Sequence, residues 1–352
     1  MGVAVDGFRW ETVGEGGGDA LFDADTVVDR HVGIGEFKGM EFIHVRARRI
    51  VSTVPASSRM PFRHTVNAYR GCSHACTYCF ARPTHEYLGL GIGEDFERRV
   101  VVKVNAVERL RAELAARRWR GDHIAMGTNT DPYQRCEGKY HLTRGIVGVL
   151  ADAANPFSIL TKSTLVLRDL ELLAGAAART SVRVNLSIGT LDEEVWRLTE
   201  PGTPPPRARV AAVQRLNDAG VPTGVLIAPV LPGLSDRDDQ LREVAEACVG
   251  AGAVSISSVA LHLRPGVREH YLSRLGETRP ELAAATAERY RRPYLPKAEQ
   301  ADLSARVRGF VEEAGGLRGR PPAGTWGGIR RAARPSAPAA QPPLSEQLTL
   351  GW

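Results

Sequence analysis

The sequence predicts an α/β fold built on a parallel β-sheet. Six short segments rich in β-branched and apolar residues alternate with segments whose apolar residues recur at helical spacing. Strands that alternate with helices in this way pair as right-handed parallel crossovers. Five of the six predicted strands run directly into polar residues, which is typical of the active-site end of a parallel barrel.

The predicted strands are bounded by turn residues and lie at 65–70, 123–128, 157–161, 182–188, 224–230 and 254–261. Apolar residues three and four positions apart indicate helices between them, as in Val107, Leu110 and Leu114. Further helices are predicted over 207–219 and 238–249, the second with Ser235-Asp236 as its cap.

Composition divides the chain into four parts. Residues 1–60 form a leader whose Gly- and Asp-rich first part is expected to be disordered. Residues 61–265 form the predicted barrel, and residues 266–315 form a helical extension without strands. Residues 316–352 are rich in Gly, Pro, Ala and Arg and are expected to form a disordered basic tail.

The charge of the chain gives only a weak indication of nucleic-acid binding. The net charge is +6, but the segment from residue 317 onward carries five arginines and a single acid. The chain before residue 317 is therefore close to neutral and does not attract phosphates strongly. No apolar run is long enough to span a bilayer, and the N-terminus lacks a secretory signal, so we expect a cytoplasmic protein without membrane contact.

Three of the five cysteines, Cys72, Cys76 and Cys79, fall within eight residues with the spacing C-x3-C-x2-C. Three thiolates on one compact loop can hold a [4Fe–4S] cluster and leave one iron open to a further ligand. The alternative is a structural zinc site, whose fourth position would be closed by a residue such as His74 or His85. No second cysteine pair completes a zinc knuckle, which favours the cluster.

Further motifs follow the cysteines in order along the chain: Thr130-Asp-Pro-Tyr-Gln134, Leu142-Thr-Arg144, Thr161-Lys-Ser163, Arg168-Asp169, Glu200-Pro201 and Ala228-Pro-Val-Leu-Pro232. With the cysteine motif they make residues 40–310 resemble the spore photoproduct lyase-related proteins of the radical S-adenosylmethionine (SAM) superfamily.

The resemblance implies a partial (β/α)6 TIM-type barrel with an N-terminal leader and a C-terminal helical extension. It implies that the three cysteines ligate three irons and that the fourth iron chelates SAM. One electron from the cluster would then cleave SAM to methionine and a 5′-deoxyadenosyl radical, which abstracts hydrogen from a substrate. A reducing partner such as flavodoxin or ferredoxin is implied as well.

The resemblance also implies SAM-binding residues. Tyr78 is expected beside the adenine, and Lys162 is expected to pair with the SAM carboxylate unless it is a surface lysine. Thr130 or Asp131 takes the place of the usual acceptors for the SAM ammonium, the alternative being an Asp-Pro turn that caps the next helix. Weaker candidates for contacts with the SAM ribose or carboxylate are Ser187 and Thr190.

We expect different roles for the two remaining cysteines, Cys136 and Cys248. Cys248 lies on an amphipathic helix and is interpreted as a buried hydrophobe. Spore photoproduct lyase uses a barrel cysteine to return hydrogen to its product, but the second predicted strand here contains none. Cys136, several residues further on, is a candidate replacement, against the alternative of an incidental loop cysteine. We interpret Arg168-Asp169 and Glu200-Pro201 as structural ion pairs and caps.

The sequence thus predicts a radical SAM enzyme whose substrate is open, with nucleic acid among the candidates. The alternative is a zinc- or iron–sulfur-bearing module that binds nucleic acid without SAM chemistry. The C-terminal residues 345–352 end in Leu348, Leu350 and Trp352, which resembles peptides that dock on the bacterial sliding clamp. The alternative for this segment is that it folds back onto the barrel.

Overall fold

The computed structural model describes residues 27–55, 57–58 and 60–317. Its strands are β1 (Val27–Val32), β2 (Glu41–Val45), β3 (Val51–Thr53), β4 (His64–Val66), β5 (Tyr69–Arg70), β6 (Arg99–Lys103), β7 (Ile124–Met126), β8 (Phe157–Thr161), β9 (Val182–Ser187), β10 (Thr223–Val230) and β11 (Ile256–Ala260). Its α-helices are α1 (Glu94–Arg98), α2 (Ala106–Ala115), α3 (Glu137–Tyr140), α4 (Leu142–Asp152), α5 (Leu170–Ala177), α6 (Glu193–Thr199), α7 (Pro206–Asp218), α8 (Asp238–Gly250), α9 (Val267–Gly276), α10 (Pro280–Arg289) and α11 (Lys297–Glu313).

The predicted parallel sheet is present. Strands β4, β7, β8, β9, β10 and β11 lie side by side in that order, each parallel to its neighbour, and β3 pairs antiparallel with β4. Phe157 of β8, for example, lies opposite Ile124 of β7 and Val182 of β9. Helices separate consecutive strands, and β3 and β11 form the two free edges of this sheet in the described residues. The fold is therefore a partial (β/α)6 barrel.

The prediction of one continuous strand over residues 65–70 is wrong. The chain leaves the barrel after Val66, and Tyr69–Arg70 instead pair antiparallel with β6 in a second sheet. Sequence pattern could not show this break, because both halves carry strand-forming residues and only the distant partner β6 separates them. The break turns the chain just before Cys72.

The second half of the leader forms strands, which its sequence did not predict. β1 pairs with β2, and β2 runs parallel to β6, so the second sheet has the order β1-β2-β6-β5. Ile43 and Val101 are fully buried in this sheet and share an apolar cluster with Leu88 and Leu90. The second sheet thereby supports the segment that follows the cysteines. Residues 1–26 lie outside the described part of the chain.

Helix α8 confirms one prediction and corrects another. Cys248 is fully buried in the main core, as expected for a small hydrophobe. Ser235-Asp236 does not cap the helix: the Ser235 hydroxyl accepts a hydrogen bond from Leu231 N, and the Asp236 carboxylate accepts one from Gly233 N. Both side chains stabilise the preceding turn instead.

The C-terminal helices cover the open side of the barrel. Val267, Tyr271 and Tyr290 share an apolar cluster with Cys76 and Tyr78, so α9 and the residue after α10 pack against the segment that carries the cysteines. Helix α11 packs on the free edge strand β11 and on α8. Among the described residues, no helix is long and apolar enough to cross a membrane. The segment 345–352 lies outside the described residues.

Gly127, directly after β7, provides a test of this geometry. Its φ is +84°, and a Cβ at this position would lie 1.9 Å from the carbonyl oxygen of Leu160. We expect Gly127→Ala to lower the free energy of unfolding by roughly 1–3 kcal/mol in urea titrations, because the backbone must move. Gly148→Ala is the control, since this glycine faces open space within α4. An unchanged urea midpoint for Gly127→Ala would contradict the strand-end geometry.

Candidate active site

A cavity of about 220 Å³ opens at the carboxyl ends of the parallel strands. All of the predicted site residues except Cys136 and Thr190 line it. The lining residues from the predicted set are Cys72, Cys76, Tyr78, Cys79, Thr130, Asp131, Lys162 and Ser187. The parallel strands account for this convergence, because residues that follow neighbouring parallel strands meet at one edge of the sheet.

The cysteines lie on a loop of residues 71–79, called the cysteine loop below, that is made of consecutive tight turns. The amide of Ala75 donates to the Cys72 carbonyl, and the amide of Cys79 donates to the Cys76 carbonyl, each over 3.2 Å. Gly71 enters the loop with a φ of +79°, a conformation that favours glycine. The turns bring the three thiols to one cavity.

The turn after α6 holds the cysteine loop from the side. The amide of Thr77 donates to the Thr199 carbonyl over 2.9 Å, and the amide of Gly202 donates to the His74 carbonyl over 3.1 Å. A Cβ on Gly202 would lie 2.1 Å from the Ser73 carbonyl oxygen. Only glycine permits so close an approach of the two backbones.

Glu200, in the same turn, is the centre of a buried charge network. Its carboxylate lies 2.6 Å from Arg209 Nη1 and 3.0 Å from Lys162 Nζ, and it accepts a hydrogen bond from the Tyr78 hydroxyl. Burial raises the pKa of Glu200, but Arg209 and Lys162 outweigh that effect and bring it to about 2. The carboxylate is therefore ionised throughout the physiological range.

Lys162 is not a surface lysine. Its side chain is 14% exposed, and Nζ donates to the Ser187 hydroxyl over 2.7 Å and to the Ala228 carbonyl over 3.3 Å, besides its contact with Glu200. The ammonium also lies 5.6 Å from the centroid of the Tyr78 ring. A single positive charge is thus held in a fixed position at the wall of the cavity.

Asp131 is a second fixed charge. Its carboxylate accepts hydrogen bonds from the Thr161 hydroxyl and the Lys162 amide, and it lies 3.3 Å from His74 Nδ1. Burial raises the pKa of Asp131, but His74 and the hydrogen bonds lower it below its usual value. Asp131 also accepts from the amide of Tyr133, so the predicted Asp-Pro turn is present and its carboxylate lines the cavity as well. The turn does not cap the next helix, because α3 has Cys136 at its N-cap position.

Thr130 lines the cavity, and its side chain also makes two hydrogen bonds within the protein. Its hydroxyl donates to the Gly71 carbonyl over 2.7 Å and accepts from Gln134 Nε2 over 3.1 Å. The side chain thus ties the loop after β7 to the cysteine loop. Its hydroxyl proton and one of its two acceptor sites are thus used within the protein, and we assign it a structural role.

Two predicted residues are not brought to the cavity. Cys136 is 1% exposed and belongs to the main hydrophobic core at the start of α3. The Thr190 hydroxyl accepts from the Asp192 amide and so stabilises the turn before α6. The placement gives neither residue direct access to a molecule in the cavity. Sequence spacing could not show this, because loop residues close to a strand end can face either the cavity or the core.

Sequence reasoning missed several residues of the site. Arg209 lies on α7 and pairs with Glu200 across a turn. No motif in the sequence around Arg209 indicates this pairing. Phe80 and His262 line the cavity from opposite ends of the chain segment that forms it. The predicted ion pair of Arg168 with Asp169 is confirmed, and Arg168 also pairs with Glu137, away from the cavity lining.

The two histidines considered for a zinc site have other partners. His74 Nδ1 faces Asp131, and His85 Nε2 lies 3.0 Å from the Arg99 carbonyl oxygen. Among the described residues, no three His, Cys, Asp or Glu side chains are grouped as ligands of a single metal ion.

Comparison with known families fits this site. Residues 66–245, which span the barrel from β4 into α8, match the model of the radical SAM superfamily. The chain belongs to the radical SAM superfamily. The uncharacterized proteins Rv2578c of Mycobacterium tuberculosis and Mb2609c of Mycobacterium bovis are each 45% identical to it over 297 residues, 83% of this chain and 87% of theirs. The uncharacterized Methanocaldococcus jannaschii protein MJ0683 is 29% identical over 56% of this chain and 70% of its own.

Solved structures of spore photoproduct lyase share the fold of this radical SAM protein. The complex with dinucleoside spore photoproduct superposes with a TM-score of 0.55 and 18% identity, over 77% of this chain and 79% of that one. A variant of that lyase with bound AdoMet and dinucleoside spore photoproduct gives a TM-score of 0.52 and 18% identity, over 73% and 75% of the two chains.

The donor set in the cavity fits the cofactors of the superfamily. Three thiols are the ligands that iron–sulfur clusters take in proteins. Burial raises the pKa of all three thiols, so the thiolate form needs a cation to stabilise it. The ammonium of Lys162 and the carboxylate of Asp131 stand beside them on the cavity wall, matching the opposite charges of an amino acid moiety.

Glu200 provides a test of the charge network. We expect Glu200→Gln to lower the free energy of unfolding by roughly 3–5 kcal/mol in urea titrations, because Arg209 loses a buried partner. Glu194→Gln is the matched control: this glutamate on α6 also pairs with an arginine, but its side chain is 75% exposed, so the change should cost less than about 1 kcal/mol. Equal effects of the two substitutions would contradict the assigned network.

Proposed function

We propose that this protein uses a [4Fe–4S] cluster, bound by Cys72, Cys76 and Cys79, to cleave SAM and start a radical reaction. The observation that carries the proposal is the convergence of three thiols with Lys162 and Asp131 on one cavity of a radical SAM fold. When bound, the cluster supplies one electron that splits SAM into methionine and a 5′-deoxyadenosyl radical.

The residues around the thiols are suited to hold SAM. Lys162 offers its ammonium to the SAM carboxylate. The Ser187 hydroxyl accepts a hydrogen bond from Lys162 Nζ and donates to the Ala228 carbonyl, so it helps to hold that ammonium in place. Asp131 offers negative charge to the SAM ammonium. Tyr78 is held in place by its hydrogen bond to Glu200 and provides a fixed aromatic wall for the adenine.

Several apolar side chains complete the wall. Leu160, Leu226 and Val259 line the cavity between the polar groups. Such a lining excludes water and protects a reactive radical from side reactions. The reaction consumes an electron from outside the protein, so we propose a low-potential donor such as flavodoxin or ferredoxin as partner, in the cytoplasm.

We further propose that the substrate is single-stranded or unpaired nucleic acid. Phe80 and His262 of the cavity lining belong to an aromatic stack: the ring of His262 lies 5.9 Å from that of Phe80 and 5.5 Å from that of Tyr294, stacked on the latter at 19°. Phe80 is 43% exposed and Tyr294 is 54% exposed. Exposed aromatic faces of this kind stack with bases.

The backbone fixes this stack, although it joins distant parts of the chain. His262 and Tyr294 form an antiparallel bridge, and the amide of Leu263 donates to the Pro293 carbonyl over 2.8 Å. Burial and the nearby Arg264 lower the pKa of His262, so its ring is neutral at pH 7. The exposed side chains of Arg264 and Arg292, each two residues from a stacked ring, offer charge to phosphates.

The spore photoproduct lyase structures with dinucleoside spore photoproduct are consistent with a nucleic-acid substrate on this fold. The near-neutral body predicts that base stacking contributes more to affinity than long-range charge. Cys136, buried in the main hydrophobic core, is not positioned to return a hydrogen atom to such a substrate.

The cluster assignment is tested by iron content and SAM cleavage. Anaerobically reconstituted and reduced protein should contain close to four irons and four sulfides per chain and form 5′-deoxyadenosine from SAM. Cys76→Ala should lose the visible absorbance and all SAM cleavage, because a ligand is removed. Cys248→Ala is the control and should retain both. A Cys76→Ala protein that still forms 5′-deoxyadenosine would refute the assignment.

The substrate class is tested by fluorescence anisotropy with a labelled twelve-nucleotide thymidine strand. Stacking on an aromatic side chain contributes roughly 1–3 kcal/mol per base, so Tyr294→Ala should weaken binding about fivefold or more. Tyr87→Ala is the control, since this tyrosine is 71% exposed but is not part of the stack. Absence of binding by the unaltered protein would reject nucleic acid, and equal loss in both variants would reject the aromatic stack as its binding surface. Either result leaves the cluster assignment intact.

A further inference from the structure

Arg82 is a buried charge that the proposed chemistry has not used. It lies three residues after Cys79, at the start of a short 3₁₀ helix, Arg82–Leu88. Its side chain is fully buried. A buried guanidinium is costly unless its donors are satisfied, so its presence beside the cysteine loop needs a physical reason.

All five N–H donors of Arg82 are engaged. Nε and Nη2 both donate to the Cys76 carbonyl, over 3.0 and 2.9 Å. Nη1 donates to the carbonyls of Ile92 and Gly93, over 2.9 and 3.2 Å. The remaining Nη2 proton goes to Glu97, whose side chain is 28% exposed. The guanidinium also stands over the ring of Phe96 at 5.2 Å.

These contacts place a fixed positive charge directly behind the cysteine loop. The fork of two bonds to one carbonyl fixes the turn between Cys76 and Cys79. The charge also lies close to the proposed cluster ligands, because the carbonyl that accepts both bonds belongs to Cys76. Glu97 offsets part of this charge from the solvent side.

We propose that Arg82 sets the reduction potential of the cluster, with Glu97 as its counterweight. The inference rests on the proposed function, since it concerns the cluster of Cys72, Cys76 and Cys79. Reduction adds one electron, supplied by a low-potential donor, to a centre that already carries negative thiolates. A buried cation stabilises the reduced form more than the oxidised form and so raises the potential. Arg82 is a positioning residue, because it acts through the loop and not on the substrate.

The proposal predicts shifts of opposite sign. Removal of the cation in Arg82→Gln makes the potential more negative, whereas removal of the counterweight in Glu97→Gln makes it less negative. A merely structural role predicts no such opposition, because damage to the loop does not depend on the sign of the lost charge. Arg82→Lys keeps the charge and loses the fork, so its potential should lie closer to that of the unaltered protein than that of Arg82→Gln.

The experiment is an anaerobic redox titration of the reconstituted full-length protein, followed by the electron paramagnetic resonance signal of the reduced cluster. Arg306→Gln is the control, since this arginine pairs with Asp238 away from the cavity and should not shift the potential. Opposite shifts in the Arg82 and Glu97 variants support the proposal. Unchanged potentials, or shifts in the same direction, overturn it.

Failure of the proposed function gives a different result. If the unaltered protein takes up no iron and sulfide, the cluster assignment fails, and the inference falls with it. If the unaltered protein binds the cluster but Arg82→Gln does not fold, Glu97→Gln decides alone, because its partly exposed side chain can be replaced without unfolding. A less negative potential in that variant then supports the proposal, and an unchanged one overturns it.

Discussion

The carboxylate of Glu200 is the contact on which the site depends. It is buried with Arg209 and Lys162, and it receives the hydroxyl of Tyr78 from the cysteine loop. One group thus joins three parts of the chain that are distant in sequence: the loop that carries the thiols, the end of β8 and the turn after α6. Because a buried carboxylate is stable only with its partners in place, the loop and the strand ends adopt one arrangement relative to each other.

The residues after β7 are held by the same kind of contact. Asp131 is held by the Thr161 hydroxyl, the Lys162 amide and His74, while Thr130 binds the Gly71 carbonyl. Both sets of residues therefore bind the cysteine loop through buried polar contacts, which fix the positions of the groups that line the cavity. These buried contacts stabilise the arrangement in which three thiols and two opposite charges surround a single cavity.

Local sequence patterns predicted much of this arrangement. The spacing of Cys72, Cys76 and Cys79 indicated a soft-metal loop, and the polar residues after the strands placed Asp131 and Lys162 at one edge of a parallel sheet. What the sequence could not show depends on contacts between distant segments. The split before Cys72 requires β6, and the aromatic stack requires a backbone bridge between residues 262 and 294. Hydrogen bonds to Gly71 and Gln134 decide the role of Thr130, burial decides that of Cys136, and sequence spacing reports neither.

The central claim is that the three thiolates hold a cluster in direct reach of SAM in this cavity. The most direct measurement is the electron paramagnetic resonance spectrum of the reduced protein before and after addition of SAM, recorded at a temperature where turnover is frozen. The account predicts a four-iron signal whose g-values change on addition of SAM, because the added molecule alters the surroundings of the cluster. A cluster signal that is identical with and without saturating SAM would contradict it.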